Sequence, residues 1–116
     1  MPRYEEERIQ ECVVHWARVN YPDLLLTCAP ATAKTVQQGM RNKRLGLLKG
    51  WPDLFFAEAR GGFYGLFIEL KAEGGRLSRE QIEILQKLND RGYRAIVCYG
   101  DSEAISAIKD YLNKPR

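Results

Sequence analysis

Apolar side chains recur at Ile9, Cys12, Val13 and Trp16, three and four residues apart, and this spacing predicts a helix over residues 4 to 19. Tyr21-Pro22-Asp23 breaks the pattern, because proline cannot continue a helix. The short apolar run from Leu24 to Cys28 reads as a first strand. Residues 30 to 49 are polar and basic, with Gly39, Gly46 and Gly50 as breakers, and predict an irregular or weakly helical connection, the longest in the chain. Long connections in compact domains tend to carry function. Asp53 to Glu58 and Phe63 to Lys71 are aromatic and aliphatic runs joined through Ala59-Arg60-Gly61-Gly62, a hairpin signal. Ser78 is suited to cap a helix that runs to about Arg91 with Ile82, Leu85 and Leu88 on its buried face, and Gly92 ends it. Tyr93 to Tyr99 predicts a fourth strand. Asp101 or Ser102 opens a last helix with Ile105, Ile108 and Leu112 as its stripe. The predicted order is αβββαβα, with no repeat, low-complexity tract or linker.

A chain of 116 residues suits one domain, residues 1 to 116, since folding at this size buries roughly two thirds of the unfolded surface around a single core. No apolar run approaches the ~20 residues needed to span a bilayer, which argues against a membrane protein. The start, MPRYEEERIQ, lacks the basic residues and apolar run of a secretory signal, so an intracellular, cytoplasmic protein is expected. Cys12, Cys28 and Cys98 are far apart among apolar neighbours, neither a disulfide framework nor a zinc spacing, and are expected to be small core residues in a reducing compartment. His15, the single histidine, projects away from its helix's apolar stripe and is expected in solvent.

The net charge of +3 says less than its distribution. From Leu24 to Pro52 there is no acid at all, while Lys34, Arg41, Lys43, Arg44 and Lys49 fall in that window. One side of the molecule should attract a polyanion.

Strand alternation sends Phe67, Glu69 and Lys71 to one face and Leu66, Ile68 and Leu70 to the other. Glu69 therefore lies beside Phe67, near the core, where a carboxylate loses hydration and needs a cation, a metal or hydrogen bonds. If the hairpin pairs in register at this end, Asp53, stiffened by Pro52, comes within a few ångströms of it. Two carboxylates that close repel, and a divalent cation such as Mg²⁺ would relieve the repulsion with the hard oxygen ligands it prefers. Lys71, on the Glu69 face, is suited to steady a water or the charge on a phosphorane. By itself Glu-x-Lys is also what a salt-bridged pair on a solvated sheet face looks like.

The combination resembles the PD-(D/E)xK nuclease superfamily, with Pro52-Asp53 as PD and Glu69-Leu70-Lys71 as ExK. Lys49-Gly50-Trp51-Pro52-Asp53-Leu54, Gly65-Leu66-Phe67-Ile68-Glu69-Leu70-Lys71 and Leu77-Ser78-Arg79-Glu80-Gln81 together resemble the VRR-NUC family, the virus-type replication and repair nucleases. The resemblance implies an α/β, restriction-endonuclease-like core, a mixed central sheet flanked by helices. It also implies Mg²⁺ or Mn²⁺ held by Asp53, Glu69 and the main-chain carbonyl of Leu70, with Lys71 at the nucleophilic water and Gln81 supporting the site. An acid on the first helix usually completes such sites. Glu5, Glu6, Glu7 and Glu11 compete, and Glu6 is favoured because it precedes Gln10 by one turn, the family's Glu-x-x-x-Gln spacing, on the flank of the apolar stripe. Two departures from the pattern are Trp51, where many relatives carry a small or aliphatic residue, and Pro30-Ala31-Thr32, which lacks an Asn-Gly often found there. Trp51 either fills core or wedges against bases.

Standalone members of the family resemble homodimeric junction-resolving enzymes, and larger members carry the domain for flap or crosslink repair. The expectation is therefore a structure-selective endodeoxyribonuclease acting on four-way (Holliday) junctions or other branched DNA in repair or recombination, in a bacterium or a phage-infected cell. Lys34, Arg41, Lys43, Arg44 and Lys49 would contact phosphates. The alternatives are a DNA-binding module that keeps the fold without cleaving, and a flap or repair nuclease.

Overall fold

The computed structural model describes residues 2–30 and 33–116, with side chains from Glu5 onward; the Ala31-Thr32 departure falls outside them. The elements are α1 (Pro2–Asn20), β1 (Leu26–Cys28), α2 (Val36–Arg44), β2 (Leu54–Phe56), β3 (Leu66–Lys71), α3 (Arg79–Asp90), β4 (Arg94–Tyr99) and α4 (Asp101–Leu112). The order is αβαββαβα, one helix more than the predicted αβββαβα. The extra helix, α2, falls in the connection expected to be irregular or weakly helical, and its start is built locally. Thr35 Oγ1 accepts from the Gln38 N–H at 3.0 Å while Gln38 Oε1 accepts from the Lys34 N–H at 2.8 Å. No residue of α2 is buried, so it carries no apolar stripe for a periodicity argument to find.

The four strands form one mixed sheet in the order β1-β2-β3-β4, with β1, β2 and β3 antiparallel and β3 parallel to β4 across the α3 crossover. Alternation along β3 divides the interior into two layers. Leu66, Ile68 and Leu70 pack with Ile9, Val13 and Ala17 of α1 and Ala104, Ile108 and Tyr111 of α4. Phe67 faces the other way, against Leu85 and Leu88 of α3 and the half-buried Trp51 and Phe55. Helices on both faces leave every residue of β3 buried, the charged Glu69 and Lys71 included.

Several expectations shift by a residue or two. On α3 the buried positions are Leu85 and Leu88, and Ile82 is 51% exposed, while the side of the first turn that meets the sheet presents the polar Gln81. On α4 they are Ala104, Ile108 and Tyr111 rather than Ile105 and Leu112; Tyr111 tolerates burial because its hydroxyl donates to the Glu58 carbonyl at 2.6 Å. Cys98 is a core residue, but Cys12 and Cys28 are exposed, Cys12 donating to Asp101 Oδ2 at 3.2 Å. His15 is exposed. The hairpin strands are shorter than their apolar runs. Beyond Phe56 the pairing peels apart, with the Tyr64 N–H donating to the Gly92 carbonyl at 2.9 Å instead of to β2.

Candidate active site

The register that pairs Leu54 with Ile68 sets Asp53, one residue before β2, opposite Glu69. Pro52 is buried ahead of it, and the Ala29 N–H donates to the Asp53 carbonyl at 2.8 Å, fixing the backbone from the β1 side. Because the β2 ladder ends at Leu54, the Leu70 amide has no strand partner on that edge. The Asp53 carboxylate takes its place, with Oδ2 accepting from the Leu70 N–H at 2.7 Å. The Leu70 carbonyl leaves β3 on the same edge as its N–H and so faces the same space.

Glu69 is 3% exposed. Its Oε2 accepts from Gln81 Nε2 at 3.0 Å and lies 3.9 Å from Lys71 Nζ. Burial, then the Asp53 carboxyl, push Glu69 up to about 9, against the weaker pull of Lys71. Burial also raises Asp53, although the Leu70 N–H, the hydrogen bond shared with Glu69 and Lys71 act in the other direction. Alone in its site the pair holds a proton between its oxygens near neutral pH, and that proton is shared by the dyad. Two carboxylates and one main-chain carbonyl turned into one gap make a hard-oxygen donor set, the kind that suits Mg²⁺ or Mn²⁺. Among the described residues no three His, Cys, Asp or Glu side chains gather as a metal cluster, so the acids in contact are two, not three.

Gln81 is held from both sides. The Ser78 hydroxyl caps α3 by accepting from the Gln81 N–H at 3.1 Å, and Gln81 Oε1 accepts from the Ser78 N–H at 2.8 Å. That second bond turns the amide so that its Nε2 faces Glu69. The chain leading into Asp53 is keyed to the same turn: Gly50 has φ +89°, and a Cβ there would meet the Glu80 carbonyl carbon at 2.6 Å. Trp51 packs edge-on against Phe67 with ring centres 5.5 Å apart, which makes it part of the α3 layer.

Asp53 and Lys71 line a groove of about 1230 Å³ between α1, β1 and the turn after β3, with Glu69 buried behind them. Glu6 is half-buried and Gln10 beside it likewise, both on the groove wall with Asp53 and Lys71. Glu6 is close enough to add to the upward push on Glu69, and a Cβ on Gly75 would come within 3.5 Å of Glu6 Oε2. Glu7 and Glu11 line the outer wall but are exposed. Of the five basic candidates, Lys34 lines this groove. Arg41, Lys43 and Arg44 occupy the last turn of α2, and Lys49 is exposed, 4.0 Å from Glu80. Sequence reasoning missed Arg76, a groove cation just past the Gly74-Gly75 turn, and the coupling of Ser78 to Glu69. The Ser-x-x-Gln spacing signals a capping box but not what the glutamine's other end touches.

Residues 1–102 match the family model described as the VRR-NUC domain. No curated protein matches the chain. Among solved structures, a chain described as a VRR_NUC domain protein superposes with a TM-score of 0.81 at 27% identity, over 96% of this chain and 90% of that one. With a family match over most of its length and the same fold in that neighbour, the chain belongs to the VRR-NUC family of nucleases, enzymes that process DNA.

Proposed function

We propose that the chain is a divalent-metal-dependent, structure-selective endodeoxyribonuclease that hydrolyses phosphodiesters in branched DNA, four-way junctions foremost. The observation that carries this reading is the half-buried Asp53 set against the buried Glu69 and Lys71, with Asp53 and Lys71 on the wall of a groove of about 1230 Å³. Mg²⁺ or Mn²⁺ held by the Asp53 and Glu69 carboxylates and the Leu70 carbonyl would supply the positive charge that the pair lacks and polarise the scissile phosphate. Gln81 Nε2 fixes one oxygen of Glu69, and the Leu70 N–H fixes one oxygen of Asp53, so both carboxylates are held in orientation towards each other. Lys71 Nζ, held beside Glu69, orients the attacking water and stabilises charge on the phosphorane. Glu6 completes the wall from α1. Lys34, Arg41, Lys43, Arg44 and Lys49 position the strand through its phosphates. A four-way junction needs two symmetric cuts, which a two-fold homodimer would deliver.

The test compares cleavage of a labelled four-way junction, a flap, a duplex and a single strand in Mg²⁺ or Mn²⁺. The junction should be cut fastest, and Glu69→Ala should lower the rate by about 10²-fold or more. A wild-type protein that cuts nothing, or a Glu69→Ala protein that cuts as well as wild type, overturns the assignment; preference for the flap moves it to flap repair. Calorimetric titration with Mn²⁺ should give a heat that Asp53→Ala abolishes, which a non-cleaving binding module would not.

A further inference from the structure

β4 is an edge of the sheet, and an edge strand presents main-chain N–H and C=O groups to any strand that can add to it. Its sequence, Arg94-Ala95-Ile96-Val97-Cys98-Tyr99, holds no acid and no proline, the composition of a segment that pairs readily. The Arg94 N–H donates to the Gly65 carbonyl at 2.9 Å and the Gly100 N–H to the Lys71 carbonyl at 3.0 Å, so the even-numbered residues of β4 bond to β3. In a parallel ladder the main-chain groups of the residues between them, Ala95, Val97 and Tyr99, then face outward.

The outward groups of Ala95 are already taken. Asn89, near the end of α3, accepts from the Ala95 N–H through Oδ1 at 3.0 Å and donates from Nδ2 to the Ala95 carbonyl at 2.8 Å. One side-chain amide thus makes both bonds that a residue of an added strand would make. Nδ2 also donates to the Leu85 carbonyl at 2.9 Å, which holds the amide to its own helix. The opposite edge is treated alike. Leu26 pairs with Phe56 while the Leu25 carbonyl accepts from the Ala57 N–H at 2.9 Å, which turns the main-chain groups of Leu26 outward, and Arg18 Nη2 donates to the Leu26 carbonyl at 3.3 Å.

Two β4 strands meeting antiparallel about a two-fold axis at Val97 would engage every outward residue, with Val97 opposite Val97 and Ala95 opposite Tyr99 of the other copy. With Ala95 occupied in both copies, the Val97 rung alone is left, too little pairing to hold two chains together. We propose that Asn89 closes the β4 edge to strand addition by a second copy of this chain, and that removing its amide opens a latent β4–β4 interface. Any homodimer of the intact protein is then built on another surface.

The experiment is sedimentation of the full chain across a concentration series, wild type beside Asn89→Ala, with hydrogen exchange read at the β4 amides. In wild type the Ala95 amide should be protected, and those of Val97 and Tyr99 should exchange quickly at every concentration. Asn89→Ala should lose the Ala95 protection when dilute. When concentrated, its weight-average mass should at least double relative to wild type, with Ala95, Val97 and Tyr99 becoming protected together. Asn89→Ala/Val97→Pro should return to the wild-type mass, because proline is tolerated where the N–H faces outward but cannot donate across the new edge. An Asn89→Ala protein that melts earlier yet keeps the wild-type mass throughout reduces Asn89 to a fastener of the α3–β4 turn and overturns the proposal. So does a mass increase that leaves Val97 and Tyr99 unprotected, since assembly then runs through another surface, and so does a wild type in which both amides are already protected. If the proline variant fails to fold, the exchange pattern of Asn89→Ala decides alone.

Discussion

An acid whose folded-state pKa is raised binds more protons folded than unfolded. Its contribution to stability is complete below the ordinary Glu value of 4.5 and disappears as pH climbs towards about 9, where burial and the Asp53 carboxyl hold Glu69. The metal-free protein should therefore lose stability between about pH 5 and pH 8.5, at up to about 1.4 kcal/mol per pH unit. Thermal melts should record that slope, Glu69→Gln should flatten most of it, and Mn²⁺ should restore wild-type stability at the alkaline end by replacing the proton. An equal slope in Glu69→Gln would locate the proton elsewhere. Ser78 extends the argument by one bond. Removing its hydroxyl in Ser78→Ala should cost about 1 kcal/mol as a lost cap and, by loosening the turn in which the Ser78 N–H holds Gln81 Oε1, weaken the hold of the Gln81 amide on Glu69. Weaker Mn²⁺ affinity is expected in Ser78→Ala, with recovery in Ser78→Thr; a lowered melting temperature with unchanged Mn²⁺ affinity would reduce Ser78 to a cap. At this scale Asp53, Glu69 and Lys71 were legible in the sequence, because strand alternation and a short hairpin leave those side chains little freedom. What the Gln81 amide touches was not, since the partner of its Nε2 stands twelve residues away in sequence.

The elements that hide apolar side chains were legible for the same physical reason: α1, α3 and α4 carry stripes at helical spacing and the strands are short apolar runs. α2 hides none, so only its local cap distinguishes it from loop, and the expectation of a weakly helical connection was as far as periodicity could go. Its glycines illustrate the difference between a breaker and a constraint. Gly46 and Gly50 both have positive φ, +99° and +89°, but a Cβ on Gly46 meets nothing within 4 Å while one on Gly50 would overlap the Glu80 backbone at 2.6 Å. Gly46→Ala should cost about 1 kcal/mol, the backbone strain alone. Gly50→Ala adds a clash that can be relieved only by pushing the Asp53 strand away from the Gln81 turn. It should cost about 2 kcal/mol more and lower cleavage as well as melting temperature. Equal losses for the two variants would mean that the close approach is not what anchors β2 to α3.

At the scale of the whole molecule one stretch stands apart in charge, the window without acids from Leu24 to Pro52, while acids and bases mix elsewhere. Folding turns the cations of that window outward on α2 and its flanks, and leaves the exposed Glu7 and Glu11 of α1 on the outer wall of the active-site groove. A net charge of only +3 can thus coexist with a local basic surface that attracts a polyanion. Phosphate contacts release counterions, and each contributes about 0.9 to the slope of log affinity against log salt on duplex DNA. If Arg41, Lys43 and Arg44 each engage one phosphate, replacing all three by alanine should reduce that slope by about 2.7. Lys49→Ala should change it less, because its ammonium already shares part of its charge with Glu80 at 4.0 Å. Binding isotherms across a salt series, in EDTA, measure both. A slope unaltered by the triple replacement would mean that DNA approaches from another face, and that the groove lined by Asp53 and Lys71 is reached without α2.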